Sequence, residues 1–194
     1  MGRLSSEERK KEIIDASMDI IFEEGMAKLT MRNIASKIGV SEAALYKHFK
    51  NKQEVVENLI DFYFTDRLFN EQIHPEKDFR KAIYEIFDRK FSWLEGTPKL
   101  SVLIFQEEMF REFPNVREKF VTHRRTLENQ IYELIKYNQN RGTVKEIIDP
   151  HVFAMIITGS IRLSILRWSE ENYSYPLKEE AHKLAKEFEK ILAT

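Results

Sequence analysis

The chain places its helix breakers at the borders of helical repeats and almost nowhere inside them. Gly25, Gly39, Gly96 and Gly142 each follow a run whose apolar residues recur at helical spacing, where a left-handed C-terminal residue is wanted. Pro75, Pro98, Pro114, Pro150 and Pro176 each precede such a run, and proline is tolerated in a first helical turn. The capping side chains agree. Ser5 with Glu8 and Asn51 with Glu54 have the spacing of capping boxes, and Thr97 and Asp149 stand directly before Pro98 and Pro150. No alternating run of polar and apolar residues is bounded by hairpin turns. The chain is therefore expected to be all-α, with about nine helices near 5–24, 31–38, 42–48, 52–73, 76–95, 98–111, 115–141, 150–171 and 177–192.

These helices fall into two groups. The first three are short and closely spaced. From residue 52 onward they are long and rich in aromatics, among them Phe62, Phe64, Phe69, Phe87, Phe91, Trp93, Phe105, Phe110 and Phe120. The pattern implies a small head, residues 1–52, and a larger helical body, residues 53–194, with helix 52–73 shared between them. A composition of 42% apolar and 32% charged residues belongs to a globular chain and not a disordered one. No apolar run reaches the roughly 18 residues that span a bilayer, and the N-terminus lacks the apolar core of a signal peptide, so no membrane partner is expected. The absence of cysteine excludes disulfides and thiolate metal sites and makes a cytoplasmic home the default.

Charge is unevenly placed. Residues 28–52 hold six bases (Lys28, Arg32, Lys37, Lys47, Lys50, Lys52) against the single acid Glu42, while the whole chain carries a net charge of −1. A basic zone in a mildly acidic protein fits an anionic partner that touches that zone alone. Within it, Ile34 and Ile38 fall on one helix face, and Ala35 is small enough for a second helix to cross closely. Gly39 supplies the positive φ of a sharp inter-helix turn, and Val40 plugs back into the core. Ser41 can cap the next helix, whose Leu45 and Phe49 face inward at a four-residue spacing. These are the parts of a helix-turn-helix. The second helix would then present Glu42, Ala43, Ala44, Lys47 and His48 outward, and adjacent alanines beside a base suit a helix entering a major groove. An ordinary αα-corner shares the scaffold.

Thr30, Ile34-Ala35, Gly39-Val40-Ser41, Leu45-Tyr46-x-His48-Phe49 and Asn51-Lys52 together form a far more specific pattern. Over about residues 10–56 the chain resembles the DNA-binding head of TetR/AcrR-type transcriptional regulators. Beyond that the likeness is one of architecture. The resemblance implies phosphate contacts from Thr30, Ser41, Tyr46, His48 and Lys52, and base contacts from Arg32, Ala43, Ala44 and Lys47. Arg32 or Lys47 would pair with a guanine edge, and the alanines would meet thymine methyls. Glu42 would either accept from a cytosine amine or repel the wrong register. The partner is double-stranded DNA with a palindromic operator, because two symmetric heads are needed for useful specificity.

The body should then form a homodimer. Helix 150–171 is apolar nearly all round and contains Gly159, and helix 177–192 carries Leu177, Ala181, Leu184, Ala185, Phe188, Ile191 and Leu192. As in the resembled family, the two would supply half of a four-helix interface. The family likeness also implies a small lipophilic effector in the body that displaces helix 52–73 and releases a repressor from its operator. Phe87, Phe91, Phe105, Met109, Tyr132 and Phe153 are the expected lining, and Arg162, a charge in an apolar helix, should pair with a ligand carboxylate or a protein acid. A second reading keeps the head and gives the body a protein partner, as in a nucleoid-associated regulator of cell division. Two Glu-x-x-His pairs, Glu71 with His74 and Glu179 with His182, are the only enzyme-like signal. Both sit at a helix end or in a charged run, so no catalytic residue, metal or cofactor is assigned.

Overall fold

A computed structural model of the chain describes residues 5–65, 72–105 and 111–193. Among these are nine α-helices: α1 (Ser6–Glu24), α2 (Met31–Ile38), α3 (Glu42–Leu45), α4 (Lys52–Phe64), α5 (Phe79–Gly96), α6 (Ser101–Ile104), α7 (Pro114–Asn140), α8 (Pro150–Glu170) and α9 (Leu177–Leu192). Single 3-10 turns occupy Met26–Lys28 and Pro98–Leu100, and the only extended pairing among the described residues is a bridge from Val144 to Ala193. The fold is all-α, as the breaker pattern predicts. The chain forms two compact units, Met1–Asp66 with Val102–Lys119, and Arg67–Ser101 with Phe120–Thr194. Helix α7 contributes its first residues to one and its remainder to the other.

In the first unit the caps form as their spacing requires. The Glu8 amide donates to Ser5 Oγ (3.2 Å) and the Ser5 amide donates back to Glu8 Oε2 (2.8 Å), which holds the Glu8 carboxyl below its ordinary range. Asn51 Oδ1 accepts from the Glu54 amide at 2.9 Å to start α4. The core joins Ile13, Met18 and Ile21 of α1, Leu29 just before α2, Ile34 and Ala35 of α2, Leu45 and Phe49 around α3, and Val55, Val56, Leu59 and Ile60 of α4, all buried. Tyr63 of α4 donates to Asp15 of α1 at 2.5 Å, and burial pushes its phenol well up from the ordinary value.

In the second unit α5 and α9 pack antiparallel. Arg80 at the start of α5 pairs with Glu189 at the end of α9 (3.2 Å), and Glu95 at the end of α5 accepts from the Lys178 amide (2.9 Å). Between them Phe87 stacks on Phe188 with centroids 5.7 Å apart and leans on Phe91 at 5.9 Å. Each such buried ring contributes roughly 1.5–3 kcal/mol by desolvation. Two buried amides close the α7–α8 connection: Gln139 Nε2 donates to the carbonyls of Lys145 (3.0 Å) and Ile148 (2.7 Å), and Asn138 Oδ1 accepts from the Thr143 hydroxyl (2.9 Å).

Several local expectations change. Helix α3 stops at Leu45 and not at 48. Its ladder passes into a turn in which both the His48 and Phe49 amides donate to the Leu45 carbonyl, at 2.8 and 3.0 Å, because the chain must bend to bury Phe49. Helix α5 begins at Phe79 because Asp78, not Pro75, supplies its cap. Thr97 does not cap the turn at Pro98; its hydroxyl donates back to the Trp93 carbonyl at 2.9 Å. Gly96 is not left-handed, whereas Asn172 and Tyr173 are, at φ 54° and 60°. Val40 is only half-buried. Residues 66–71 of the expected helix 52–73 and 106–110 of the expected helix 98–111 lie outside the described residues, and Ile73, the expected end of the first, is not helical.

Two outcomes follow from this packing. Gly39→Ala should cost about 1–2 kcal/mol from backbone strain alone, since φ is +72° and nothing lies within 4 Å of the added Cβ; the shift of the urea midpoint measures it. His123 is half-buried, and burial, aided by the charge of Lys90, pushes its pKa down to about 4. The unfolded chain therefore binds a proton that the folded chain refuses. Stability should be undiminished above about pH 6.5 and fall, by an amount on the order of 3 kcal/mol, as pH drops toward 4. Denaturant midpoints across that window should flatten in His123→Gln.

Candidate nucleic-acid interface

The exposed edge of the first unit is built from two caps and a turn. Thr30, exposed, starts α2 by accepting from the Asn33 amide at 3.1 Å, which leaves its hydroxyl hydrogen for an outside acceptor. Met31, Ile34 and Ala35 face the core, so Arg32 at the intervening position faces solvent. At the end of α2, Gly39 turns left-handed (φ 72°, ψ 33°) and the Val40 amide donates to the Ala35 carbonyl at 3.0 Å. Ser41 then accepts from the Ala44 amide (3.3 Å) with its hydroxyl hydrogen again unspent.

Helix α3 is short, and its two sides are distinct. Leu45 and Phe49 are buried, while Glu42, Ala43, Tyr46 and Lys47 are exposed and Ala44 is half-exposed. Tyr46 keeps 51% of its surface, a large exposure for an aromatic with no buried role. His48 is half-buried, and its Nδ1 lies 3.4 Å from the hydroxyl of Ser6 in the first turn of α1. Lys52 is the second residue drawn inward: both Glu112 carboxylate oxygens take its ammonium, at 2.9 and 3.1 Å. Neither Ser6 nor Glu112 carries a sequence signal, since each reaches its partner across more than forty residues of chain.

The six bases of this stretch now divide. Lys37 is tied to Glu23 at 2.7 Å, a bond that raises its pKa, and Lys52 is tied to Glu112. Among the described residues, Lys28, Arg32, Lys47 and Lys50 form no ion pair and stand exposed. The surface carrying α3 thus offers uncompensated cations, two hydroxyls, a phenol and an imidazole, with small side chains at Ala43 and Ala44. That is the chemistry of a phosphate-lined groove.

The residues expected to line a ligand site have varied surroundings. Phe87 and Phe91 are fully buried against each other and Phe188. Tyr132 stacks on His151 (4.1 Å), Phe153 is half-buried, and Phe105 belongs to the first unit. Met109 lies outside the described residues. Arg162 is exposed and not sunk in apolar surroundings, because α8 is apolar by composition yet largely uncovered, and hydropathy alone does not tell its faces apart. Of the Glu-x-x-His pairs, Glu71 lies outside the described residues, His74 is exposed beside Glu76 (3.5 Å), and His182 packs edge-on to Tyr84 (4.6 Å).

Residues 13–59 match the family model for bacterial regulatory proteins of the tetR family. The chain is 27% identical over 171 residues to the nucleoid occlusion factor SlmA of Aliivibrio fischeri, covering 86% of this chain and 87% of that protein. In fold it is similar to NalD, the secondary repressor of the MexAB-OprM multidrug efflux pump in Pseudomonas aeruginosa (TM-score 0.76, 18% identity, 97% of this chain and 98% of that one). It is also similar to the regulator FadR of Bacillus subtilis, solved with stearoyl-CoA (TM-score 0.72, 21% identity, 91% and 95%). Residues 13–59 thus form a head of the tetR family of bacterial regulatory proteins, on a chain whose fold is shared with such regulators over nearly its whole length.

Proposed function

We propose that the protein is a transcriptional repressor in the cytoplasm that binds a palindromic operator as a homodimer and leaves it when the body takes up a small lipophilic effector. The observation that carries the DNA-binding half is the exposed edge of Arg32, Ala43, Tyr46 and Lys47 beside unpaired Lys28 and Lys50. Arg32 and Lys47 read guanine edges, Ala43 and Ala44 meet thymine methyls, and Glu42 accepts from a cytosine amine or repels the wrong register. Thr30, Ser41, Tyr46, His48 and Lys52 hold phosphates and set the register. In this reading residues 1–52 are the DNA-binding domain and residues 53–194 carry dimerisation and effector binding.

The dimer reading rests on α8. Val152, Met155 (60% exposed), Ile156 and Leu163 (56%) form an apolar stripe at helical spacing that none of the described residues covers. Gly159 lies in the same stripe. A mid-helix glycine costs about 1 kcal/mol relative to alanine, and no atom of another described residue outside its own helical turn comes within 4 Å of where its Cβ would be. No packing among the described residues demands it, whereas a second helix crossing closely would. Much of α9 is already spent: Leu177, Ala181, Ala185, Phe188 and Leu192 are buried within the unit, leaving Leu184 and Ile191 at the rim of such an interface. Although α8 is long and apolar enough to cross a membrane, its charged Arg162 and Arg167 and its polar Thr158, Ser160 and Ser164 fit a helix–helix interface better.

The stearoyl-CoA bound by FadR supports a long-chain lipophile as the effector class. The likeness to SlmA supports a second reading, since it spans head and body alike: a nucleoid-associated factor whose body binds a protein. Genomic occupancy distinguishes them, with one or a few promoter sites for the repressor and many scattered sites for the other.

Arg32→Ala should cost about 1–3 kcal/mol of operator affinity and relax preference at one base position, read by binding to a panel of single-base operator variants. Leu163→Glu should yield a folded monomer by light scattering and weaken operator binding about 30-fold or more, because it buries a charge at the centre of the interface. A dimeric Leu163→Glu protein, or an Arg32→Ala protein with unchanged base preference, contradicts the reading.

A further inference from the structure

We infer that Glu112 is an internal competitor for DNA phosphate: it occupies the ammonium of Lys52, so that the Lys52–Glu112 pair and a Lys52–phosphate contact exclude one another. The inference rests on the proposed phosphate role of Lys52. Residues 112–119 lie along α4 in three polar rungs, all inside the first unit. Lys52 pairs with Glu112, Asn115 donates to Glu57 Oε1 (3.0 Å), and Lys119 pairs with Asp61. Buried Phe113 and Val116 plug the strap down between the rungs.

Lys52 is held from two sides. Both oxygens of Glu112 accept from it, and the ring of Phe113 lies 5.4 Å from its nitrogen, a cation–π distance. Its side chain is 25% exposed against 51% for Glu112. A lysine in the first helical turn sits at the positive end of the helix dipole, where a cation is disfavoured, and the carboxylate from the strap offsets that. Unlike Arg32, Lys47 and Lys50, therefore, Lys52 meets an approaching duplex as half of a neutral pair. To donate its protons to a phosphate it must leave Glu112, and Glu112 is then an uncompensated anion beside the backbone. By reciprocity, bound DNA loosens the first rung of the strap, and a shift of α7, whose first residues form the other rungs, changes the hold on Lys52.

The test is a double-mutant cycle on the full-length protein, with duplex operator DNA titrated at several salt concentrations. Glu112→Gln should tighten binding to all sequences alike by about three- to fivefold, and steepen the log–log salt dependence by nearly one unit. Lys52→Ala should weaken binding uniformly. In the Lys52→Ala background the gain from Glu112→Gln should vanish. An equal gain in both backgrounds would mean that Glu112 acts only through its distant field, and weaker binding by Glu112→Gln would mean that it positions Lys52 for the phosphate; either overturns the inference. If Lys52→Ala leaves affinity unchanged, the phosphate role itself fails, a different failure from that of the competition. Thermal melts of each variant confirm that the fold is intact.

Discussion

The whole head depends on one backbone conformation. Gly39 turns left-handed, the Val40 amide closes on the Ala35 carbonyl, and the chain leaves α2 in a direction that buries Leu45 and Phe49 in the same unit as Ile34 and Ala35. A residue with a Cβ adopts that conformation only at a cost. Everything that could meet DNA follows from the resulting crossing. Once Leu45 and Phe49 point inward, helical spacing leaves Glu42, Ala43, Tyr46 and Lys47 pointing out. The caps at Thr30 and Ser41 then fall at the edge of the same surface, each with a hydroxyl hydrogen to give.

Charge follows the fold and does not direct it. Of six clustered bases, those close to acidic segments are neutralised, Lys37 by Glu23 of α1 and Lys52 by Glu112. The others stay free among the described residues. A net charge of −1 over the chain keeps long-range attraction to nucleic acid modest. Binding by such a protein should therefore depend on fit at a few positions more than on bulk electrostatics, which is what an operator-specific regulator needs against a genome of competing sites.

Features encoded within a few residues were legible in the sequence, and features made by distant residues were not. The caps at Ser5, Ser41, Asn51 and Asp149 are local grammar and form as read. The inward pair Leu45 and Phe49 was equally plain. Thr97 misled because a hydroxyl in that position can either accept from the free amides of the next turn or donate back to a carbonyl of the preceding helix, and it donates to Trp93. Gly96 shows that a helix can end without a left-handed residue, while Tyr173 holds such a conformation because its hydroxyl lies between Ser101 (3.2 Å) and Ser169 (3.4 Å) and its ring packs on Trp168 (4.8 Å). The aromatic run of the body told core from surface poorly, since spacing does not distinguish a ring stacked on Phe188 from one lining a pocket. Glu112 on Lys52 was invisible, being fixed only by how residues 112–119 lie along α4.

Selection of bound duplexes from a random-sequence library by the purified wild-type protein tests the central claim most directly. The account predicts enrichment of an inverted repeat whose half-sites are about one helical turn apart, roughly 34–36 Å between centres. Recovery of no enriched sequence, or of a single unrepeated half-site bound by one chain, would contradict it.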